Sequence, residues 1–209
     1  GEYIFYLDSG CIFLKPLHIF IDFMKSKDIE ILCFYTPFPE MEWDKKILFD
    51  KYANTFDWKE NILQIEAEFI CIRKSSKTVK IIREWLDSCS IAENILDHDL
   101  QPGENHRHDQ SNFSLVCKKN NIAAYRNPSN RYLFDLFEET LSVYYRSESD
   151  MKKYKKIYFA QEEIPGAEFS VFSHARRNSA FYLLRAAKSM LQFQKQLRLV
   201  QLRHASKRK

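Results

Sequence analysis

Tyr3-Ile4-Phe5-Tyr6-Leu7-Asp8-Ser9-Gly10-Cys11 is the stretch that decides the fold, because an apolar run ends there in one carboxylate and a glycine. Aromatic and aliphatic residues fill the run as far as Leu7, which predicts a strand buried on both faces. In an open α/β sheet the ligand site lies beyond the carboxyl ends of the strands. Asp8 is therefore a candidate ligand for a metal ion or a phosphate, and Gly10 would let that ligand approach the backbone. The simpler interpretation is a turn in which Asp8 bonds only the local backbone.

Composition limits the class of protein. The chain has 209 residues, 45% of them hydrophobic and 15% aromatic, which is enough for one domain with a sizeable core. Its 4 glycines form neither a GxGxxG pattern nor a P-loop pattern, so neither kind of phosphate loop is predicted. The 5 cysteines are widely spaced without a CxxC pair, which predicts buried thiols in a reducing, cytoplasmic compartment. Because the chain starts directly in a core strand, we expect an N-terminal portion to be missing.

Charge divides the chain into two parts. After Glu168 there are ten basic residues and no acidic one, although the net charge of the whole chain is only +4. We therefore predict a domain over 1–172 and a basic helical extension over 173–209. The basic helix has three interpretations: a solvated face packed on the domain, a surface helix that docks on an anionic membrane, and a nucleic-acid contact. The last is ranked lowest, and no nucleic-acid partner is predicted, because the rest of the chain is acidic.

The order of apolar patterns predicts alternating strands and helices, and hence an α/β fold. Thr36-Pro37-Phe38-Pro39 is expected to form an extended loop, because each proline restricts its own φ and the residue before it. After Ser75 or Ser76 as a cap, a helix is expected to bury a face made by Val79, Ile82, Leu86 and Cys89. The remaining predicted elements are helices over 16–27, 43–53, 133–141 and 179–204 and strands over 29–34, 69–72 and 122–125.

His106-Arg107-His108-Asp109-Gln110-Ser111 is the densest cluster of functional groups in the sequence. Asp109 stands before an amphipathic helix that is expected to end near Asn120, so the plain interpretation makes it an N-cap. The free N–H groups of a helix start also favour an anion or a hydroxyl-rich ligand, which Asp109 and Gln110 can bind. In an extended segment His106 and His108 project to the same side, which makes a metal pair a further interpretation.

Four groups of residues together resemble the ordered motifs of bacterial GT-A-type glycosyltransferases of surface-glycan synthesis, the capsule and lipopolysaccharide type. Tyr6-Leu7-Asp8-Ser9-Gly10-Cys11 and His106-Arg107-His108-Asp109-Gln110-Ser111 are the specific parts. The supporting parts are Trp43-Asp44-Lys45-Lys46 and the stretch from Gln64 to Lys74, with Trp85. The resemblance covers about residues 3–120. It implies a GT-A-like, Rossmann-like mixed sheet flanked by helices, and transfer of a sugar from a nucleotide-diphosphate donor to a glycan or lipid-linked acceptor.

The resemblance also implies roles for individual residues. Asp8 would bind Mn²⁺ or Mg²⁺ against the donor diphosphate, with Gly10 beside it, and His174 would be a second metal ligand. Arg176 and Arg177 would neutralise phosphate charge. The second acid of the usual D-x-D pattern is replaced by Gly10 in this chain.

For the chemistry, Asp109 would be the base that deprotonates the acceptor, and a nearby carboxylate, Glu68 or Glu66, would stabilise positive charge on the sugar. The residues expected to contact substrate are Lys45, Gln64, Glu66, His106, His108 and Gln110. Such an enzyme would work in the cytoplasm, with the basic helix on the inner membrane face. The competing hypotheses are a metal-dependent phosphoesterase or nucleotidyltransferase that uses Asp8 with the histidine cluster, and a non-catalytic binding protein.

Overall fold

A mixed four-stranded sheet lies at the centre of the computed structural model, which describes residues 1–57, 59, 62–97, 100, 104–129, 148–168 and 170–173. The fold is mixed α/β, as the sequence predicts. The described residues all belong to one compact unit, Gly1–Ser173. The helices predicted over 133–141 and 179–204 lie outside the described residues, and so do His174, Arg176 and Arg177.

Strands and helices are interspersed along the chain. The strands are β1 Tyr3–Leu7, β2 Cys11–Phe13, β3 Ile31–Pro39, β4 Leu63–Arg73, β5 Ala124–Arg126 and β6 Val171–Ser173. The α-helices of the described residues are α1 His18–Ser26, α2 Glu40–Trp43, α3 Lys46–Tyr52, α4 Ser76–Cys89, α5 His108–Lys119 and α6 Glu148–Phe159, with a 3-10 turn at Ala92–Asn94. None of the helices in this part of the chain is both long and apolar enough to cross a bilayer.

The main sheet has the strand order β1-β4-β3-β5, and only β3 and β5 run parallel. Strand β4 carries a large bulge, because Leu32 of β3 pairs with Cys71 whereas Phe34 pairs with Glu66. Over this step β3 advances by two residues and β4 by five. Bulges re-aim side chains, and this one changes the direction of the residues around Glu68. Strands β2 and β6 form a separate antiparallel pair that the sequence pattern did not predict.

Apolar side chains cover both faces of the sheet. On one face, Ile65, Ile70 and Ile72 of β4 pack against helices α3, α4 and α5. On the other face, Phe69 and Cys71 pack against α1 and the residues that follow α6. Four phenylalanine rings, those of Phe13, Phe20, Phe34 and Phe69, lie in mutual contact on this second face. The sheet is thus the middle layer of three.

Strand β1 has the predicted bounds, but the prediction that both of its faces are buried is wrong. It is the outer strand of the described sheet, and Ile4 and Tyr6 are 50% and 39% exposed. Its other face is half-buried through Tyr3, Phe5 and Leu7, which pack on the core. The sequence pattern does not reveal that one face of β1 is exposed, because Tyr6 counts as an apolar residue although its hydroxyl group can face water.

The two prolines after Tyr35 do not end strand β3, so the predicted loop over 36–39 is wrong. The pairing with β4 is irregular here, which is where proline is tolerated in a strand. The Thr36 hydroxyl replaces regular backbone hydrogen bonds that are missing here. It donates to the Gln64 carbonyl at 3.3 Å and accepts from the Phe38 N–H at 3.2 Å. The strand therefore continues for nine residues, to Pro39.

Two helices were also predicted with errors. The helix expected over 43–53 is two helices, α2 and α3, because Asp44 and Lys45 have extended backbone angles between them. Helix α4 starts after Ser75, which is one of the two predicted caps and which forms a capping box with Thr78. Its predicted buried face is wrong, however, because Val79 and Leu86 are 51% and 56% exposed. The face that packs on the core contains Ile81, with Ile82 and Trp85 half-buried.

Helix α5 lies along one edge of the first part of β4. Strand β1 pairs only with residues 69–73 of β4, so the edge at Leu63 and Ile65 needs another partner. The Ser114 hydroxyl accepts the Ile65 N–H at 2.8 Å, and Lys118 donates to the Leu63 carbonyl at 2.7 Å. Side chains of α5 therefore satisfy backbone groups that a neighbouring strand would otherwise satisfy.

Candidate functional site

Asp8 lies at the outer end of β1 in a tight, exposed turn. Its carbonyl accepts the Cys11 N–H at 2.9 Å, which closes the turn, and its own N–H donates to the Glu68 carbonyl at 2.9 Å. The Tyr6 hydroxyl donates to Asp8 Oδ1 at 3.2 Å. The backbone contacts fix where the carboxylate leaves the sheet, and Gly10 is half-buried within the same turn.

Glu68 lies beside this turn, within the bulge of β4. Its carboxylate Oε1 accepts from the Cys11 thiol at 3.1 Å, and its side chain is only partly buried. The bulge and the turn thus bring two carboxylates, Asp8 and Glu68, to one edge of the sheet. Carboxylate oxygens are hard ligands, which is the donor type that Mg²⁺ and Mn²⁺ prefer. The chemistry of Asp8 and Glu68 therefore fits such an ion.

Two aromatic residues connect the Asp8 turn to the start of α5. The Tyr6 and Trp85 rings meet edge to face with centroids 6.3 Å apart. The Trp85 indole N–H donates to the Asp109 carbonyl at 2.9 Å, and its ring packs on Phe113 at 4.8 Å. A continuous chain of contacts therefore runs from Asp8 through Tyr6 and Trp85 to Asp109.

Asp109 is exposed in the first turn of α5, and it is not the N-cap that the sequence predicted. The helix begins at His108, its N-cap residue is Arg107, and no side chain caps it there. Ser111 takes part of that role, because its hydroxyl accepts the Arg107 N–H at 3.1 Å. Burial and, to a lesser extent, the negative charge of Asp109 raise the pKa of the Cys89 thiol to about 11. Asp109 is thus close enough to α4 for its charge to act on Cys89.

Glu66 is buried, with 1% of its surface exposed, and it accepts from the Asn127 amide. It pairs in register with Phe34, whose ring belongs to the core on the α1 side of the sheet. Its predicted role in substrate binding stays a prediction.

Gln64 and Gln110 belong to a buried polar network between β4 and α5. The Gln110 amide donates to Gln64 Oε1 at 2.7 Å, and the Gln64 amide donates to Asp44 Oδ1 at 3.0 Å and to the Ser111 hydroxyl at 3.2 Å. All four side chains are less than 9% exposed. These bonds hold the first turn of α5 against β4, a structural role that does not depend on the predicted contacts with substrate.

Glu40, Asp44 and Lys118 form a charged group that the sequence interpretation missed. Lys118 and Glu40 form an ion pair with both side chains 1% exposed, and the Ser114 hydroxyl donates to Glu40 at 2.5 Å. Burial raises the pKa of Asp44 well above its usual range, and the charge of Glu40 and a hydrogen bond with it raise it further. The folded protein therefore favours the protonated form of Asp44. The sequence did indicate a buried polar group, because Ser111, Ser114 and Lys118 recur at helical spacing on the buried side of α5.

Lys45 is buried behind the turn that contains the 3-10 helix. Its ammonium group donates to the Glu93 carbonyl at 2.8 Å and to the Leu96 carbonyl. With 1% of its surface exposed, it holds that turn in place. Lys45 therefore has a structural role, and the substrate contact predicted for it stays a prediction.

His106 and His108 lie together with Asp97 at the entry to α5. The two imidazole rings meet edge to face with centroids 5.3 Å apart. His106 Nε2 faces the Asn94 carbonyl at 2.9 Å, and His108 Nδ1 faces the Ile95 carbonyl at 2.9 Å. His108 Nε2 lies 3.6 Å from Asp97 Oδ2. Burial lowers the pKa of His106, which favours the neutral form of its ring.

Comparison of the chain with models of protein families, with curated proteins and with solved structures gives no significant match.

Proposed function

We propose that this chain is a metal-dependent glycosyltransferase that moves a sugar from a nucleotide-diphosphate donor to a glycan or lipid-linked acceptor of a surface polysaccharide. The proposal rests on the resemblance of its motifs to those of GT-A-type enzymes. One structural observation supports it most directly. Asp8 and Asp109, which belong to the two specific motifs, are joined through Tyr6 and Trp85 although they are far apart in sequence. A turn residue and a helix residue with unrelated structural roles need no such connection.

In this proposal Asp8 holds Mn²⁺ or Mg²⁺, and Glu68 lies beside it. The ion would stabilise the charge that develops on the departing diphosphate. Asp109 is the base that takes the proton of the acceptor hydroxyl, since it is exposed at the start of α5 and its carboxylate is within reach of a ligand there. Glu68 stabilises positive charge on the transferred sugar. His174, Arg176 and Arg177, which lie outside the described residues, keep the metal- and phosphate-binding roles that the resemblance implies, and the basic extension over 173–209 is proposed to dock on the inner membrane face in the cytoplasm.

The test is a thermal-shift screen of the chain with UDP-, GDP-, CMP- and dTDP-sugars, each with and without Mn²⁺. We expect at least one diphosphate sugar to raise Tm only when the metal is present. Asp8→Asn should abolish that shift and lower the transfer rate by at least about 100-fold, because it removes a ligand of the ion. Asp22→Asn is the matched control, since Asp22 is an exposed aspartate on α1.

Two outcomes would contradict the proposal. Hydrolysis of the diphosphate with no sugar transferred would indicate a phosphoesterase or nucleotidyltransferase instead. No response to any donor, in a folded chain that includes any N-terminal portion of the protein, would favour a non-catalytic binding protein. Asp8→Asn separates these cases further, because a scaffold would show a change in stability alone.

A further inference from the structure

We propose that Asp97, His106 and His108 form a zinc site at the entry to α5, separate from the ion proposed at Asp8. One ligand atom from each of the three side chains lies within 4.8 Å of the other two. Among the described residues this is the one group of three histidine, cysteine or acidic side chains that meets so closely. Two imidazoles and a carboxylate with an open fourth position are a common ligand set for Zn²⁺.

The backbone fixes which nitrogen of each ring can bind a metal. A carbonyl oxygen accepts hydrogen bonds and cannot donate them, so the nitrogen that faces it must carry the proton. His106 Nε2 faces the Asn94 carbonyl and His108 Nδ1 faces the Ile95 carbonyl. In the neutral rings the lone pairs are consequently on His106 Nδ1 and His108 Nε2. Metal-binding histidines characteristically donate their second nitrogen to a carbonyl or carboxylate in this way.

Both lone-pair nitrogens have surroundings that suit an ion. His106 Nδ1 is buried and meets no hydrogen-bond partner among the described residues. His108 Nε2 lies 3.6 Å from Asp97 Oδ2. Ligands about 2.0–2.2 Å from a tetrahedral Zn²⁺ are about 3.3–3.6 Å from each other, so this pair is already at the required separation.

The backbone of His108 has a φ of 49°, in the left-handed region that few residues other than glycine and asparagine adopt. This conformation turns the chain at the start of α5. The positive charge of Lys45 and the negative charge of Asp97 both act on the His106 ring, in opposite directions. A bound ion would join Asp97, after the 3-10 turn, to the first residue of α5. It would thereby fix the helix start from which Asp109 extends.

The test is titration of the tag-free, metal-stripped chain with Zn²⁺ by calorimetry, and with Co²⁺ by visible absorption. We expect one equivalent of Zn²⁺ to bind and to raise Tm, because an ion that binds only the folded state stabilises it. The Co²⁺ spectrum should indicate tetrahedral nitrogen and oxygen ligands. Asp97→Asn and His108→Asn should each weaken Zn²⁺ binding by more than about 10-fold. Asparagine is chosen at 108 because it tolerates the left-handed backbone.

Three controls make the result specific. Asp87→Asn and His18→Ala change exposed residues elsewhere and should leave the affinity for Zn²⁺ unchanged. Asp8→Asn should also leave it unchanged, so a failure of the proposed transferase function would not affect this test. The zinc site would be disproved by no binding, by equal affinity in the Asp97→Asn and His108→Asn variants when both are folded, or by a thiolate band with Co²⁺, which would indicate binding by cysteines.

Discussion

Two pairs of carboxylates, Asp8 with Glu68 and Glu40 with Asp44, have similar chemistry and opposite surroundings. The first pair lies at an exposed turn and a strand bulge, where water and a ligand can reach it. The second pair is less than 5% exposed and lies against Lys118. A buried carboxylate must share a proton or pair with a cation, whereas an exposed one stays charged without either. The comparison teaches that burial forces a carboxylate to find a partner inside the protein, whereas the carboxylates of the first pair lie where a ligand can reach them.

The largest effect should come from removing the cation of the buried pair. Lys118→Met leaves Glu40 buried without its partner, and we expect the free energy of unfolding to fall by about 3–5 kcal/mol. Lys119→Met is the matched control, because Lys119 forms a partly exposed ion pair with Glu84 and should cost about 1 kcal/mol or less. Urea unfolding of both variants measures the difference. Equal losses would show that burial of Glu40 and Lys118 has no special energetic role.

The next effect concerns pH and the proton on Asp44. Because the folded pKa of Asp44 is raised, the folded state holds a proton that the unfolded state releases above about pH 4. Its contribution to stability is full below that pH and is lost as pH rises toward the folded pKa, by up to about 1.4 kcal/mol per pH unit. Asp44→Asn mimics the protonated acid and removes this loss.

The measurement is urea unfolding of the wild type and Asp44→Asn at pH 4, 5 and 6. The variant should gain stability relative to the wild type at each step upward in pH. A difference that does not change with pH would mean that Asp44 titrates alike in the folded and unfolded states.

A smaller effect is expected at Trp85, which connects the exposed Asp8 turn to the start of α5. Trp85→Phe keeps an aromatic ring between Tyr6 and Phe113 but removes the hydrogen bond to the Asp109 carbonyl. The free energy of unfolding should fall by about 1 kcal/mol. If the proposed function is right, the transfer rate should fall further than this loss of stability explains, because Asp109 is no longer held in place. Unchanged transfer in a folded variant would show that Trp85 does not position Asp109.

The smallest effect on stability should be at the exposed turn itself. Tyr6→Phe removes one partly exposed hydrogen bond to Asp8 and should change the free energy of unfolding by less than about 0.5 kcal/mol. The same variant should change the affinity for Mn²⁺, since the hydroxyl bonds an oxygen of the proposed ligand. Thermal unfolding with and without Mn²⁺ separates the two effects. A large loss of stability would show that the Asp8 turn contributes substantially to the stability of the fold.

Local sequence patterns correctly predicted those elements whose structure depends mainly on residues close together in the chain. Strand β1 and the cap of α4 at Ser75 follow from neighbouring residues. The five cysteines are free thiols, of which three are buried as predicted and two, Cys11 and Cys89, are half-buried. The errors arose where distant partners decide. Lys118 and Glu40 are 78 residues apart, so neither position alone indicates an ion pair. The break between α2 and α3 similarly depends on Gln64 and on the turn held by Lys45.

The candidate sites show the same division. The histidine cluster and Asp8 were visible as polar residues beside apolar runs, because exposed functional groups interrupt the pattern. Asp97 was not visible, since one acid in an irregular segment carries no periodic signal. The connection from Tyr6 to Trp85 was also hidden, because two aromatic residues in separate elements are ordinary core residues until their contact is seen.

The position of α5 has a consequence for behaviour in solution. An open strand edge is a template on which a second molecule can add a strand and begin to aggregate. Ser114 and Lys118 already occupy the hydrogen-bonding groups of Ile65 and Leu63 at that edge. Helix α5 thus prevents another molecule from pairing with this edge of β4. A change that detaches α5 would therefore promote self-association as well as destabilise the fold.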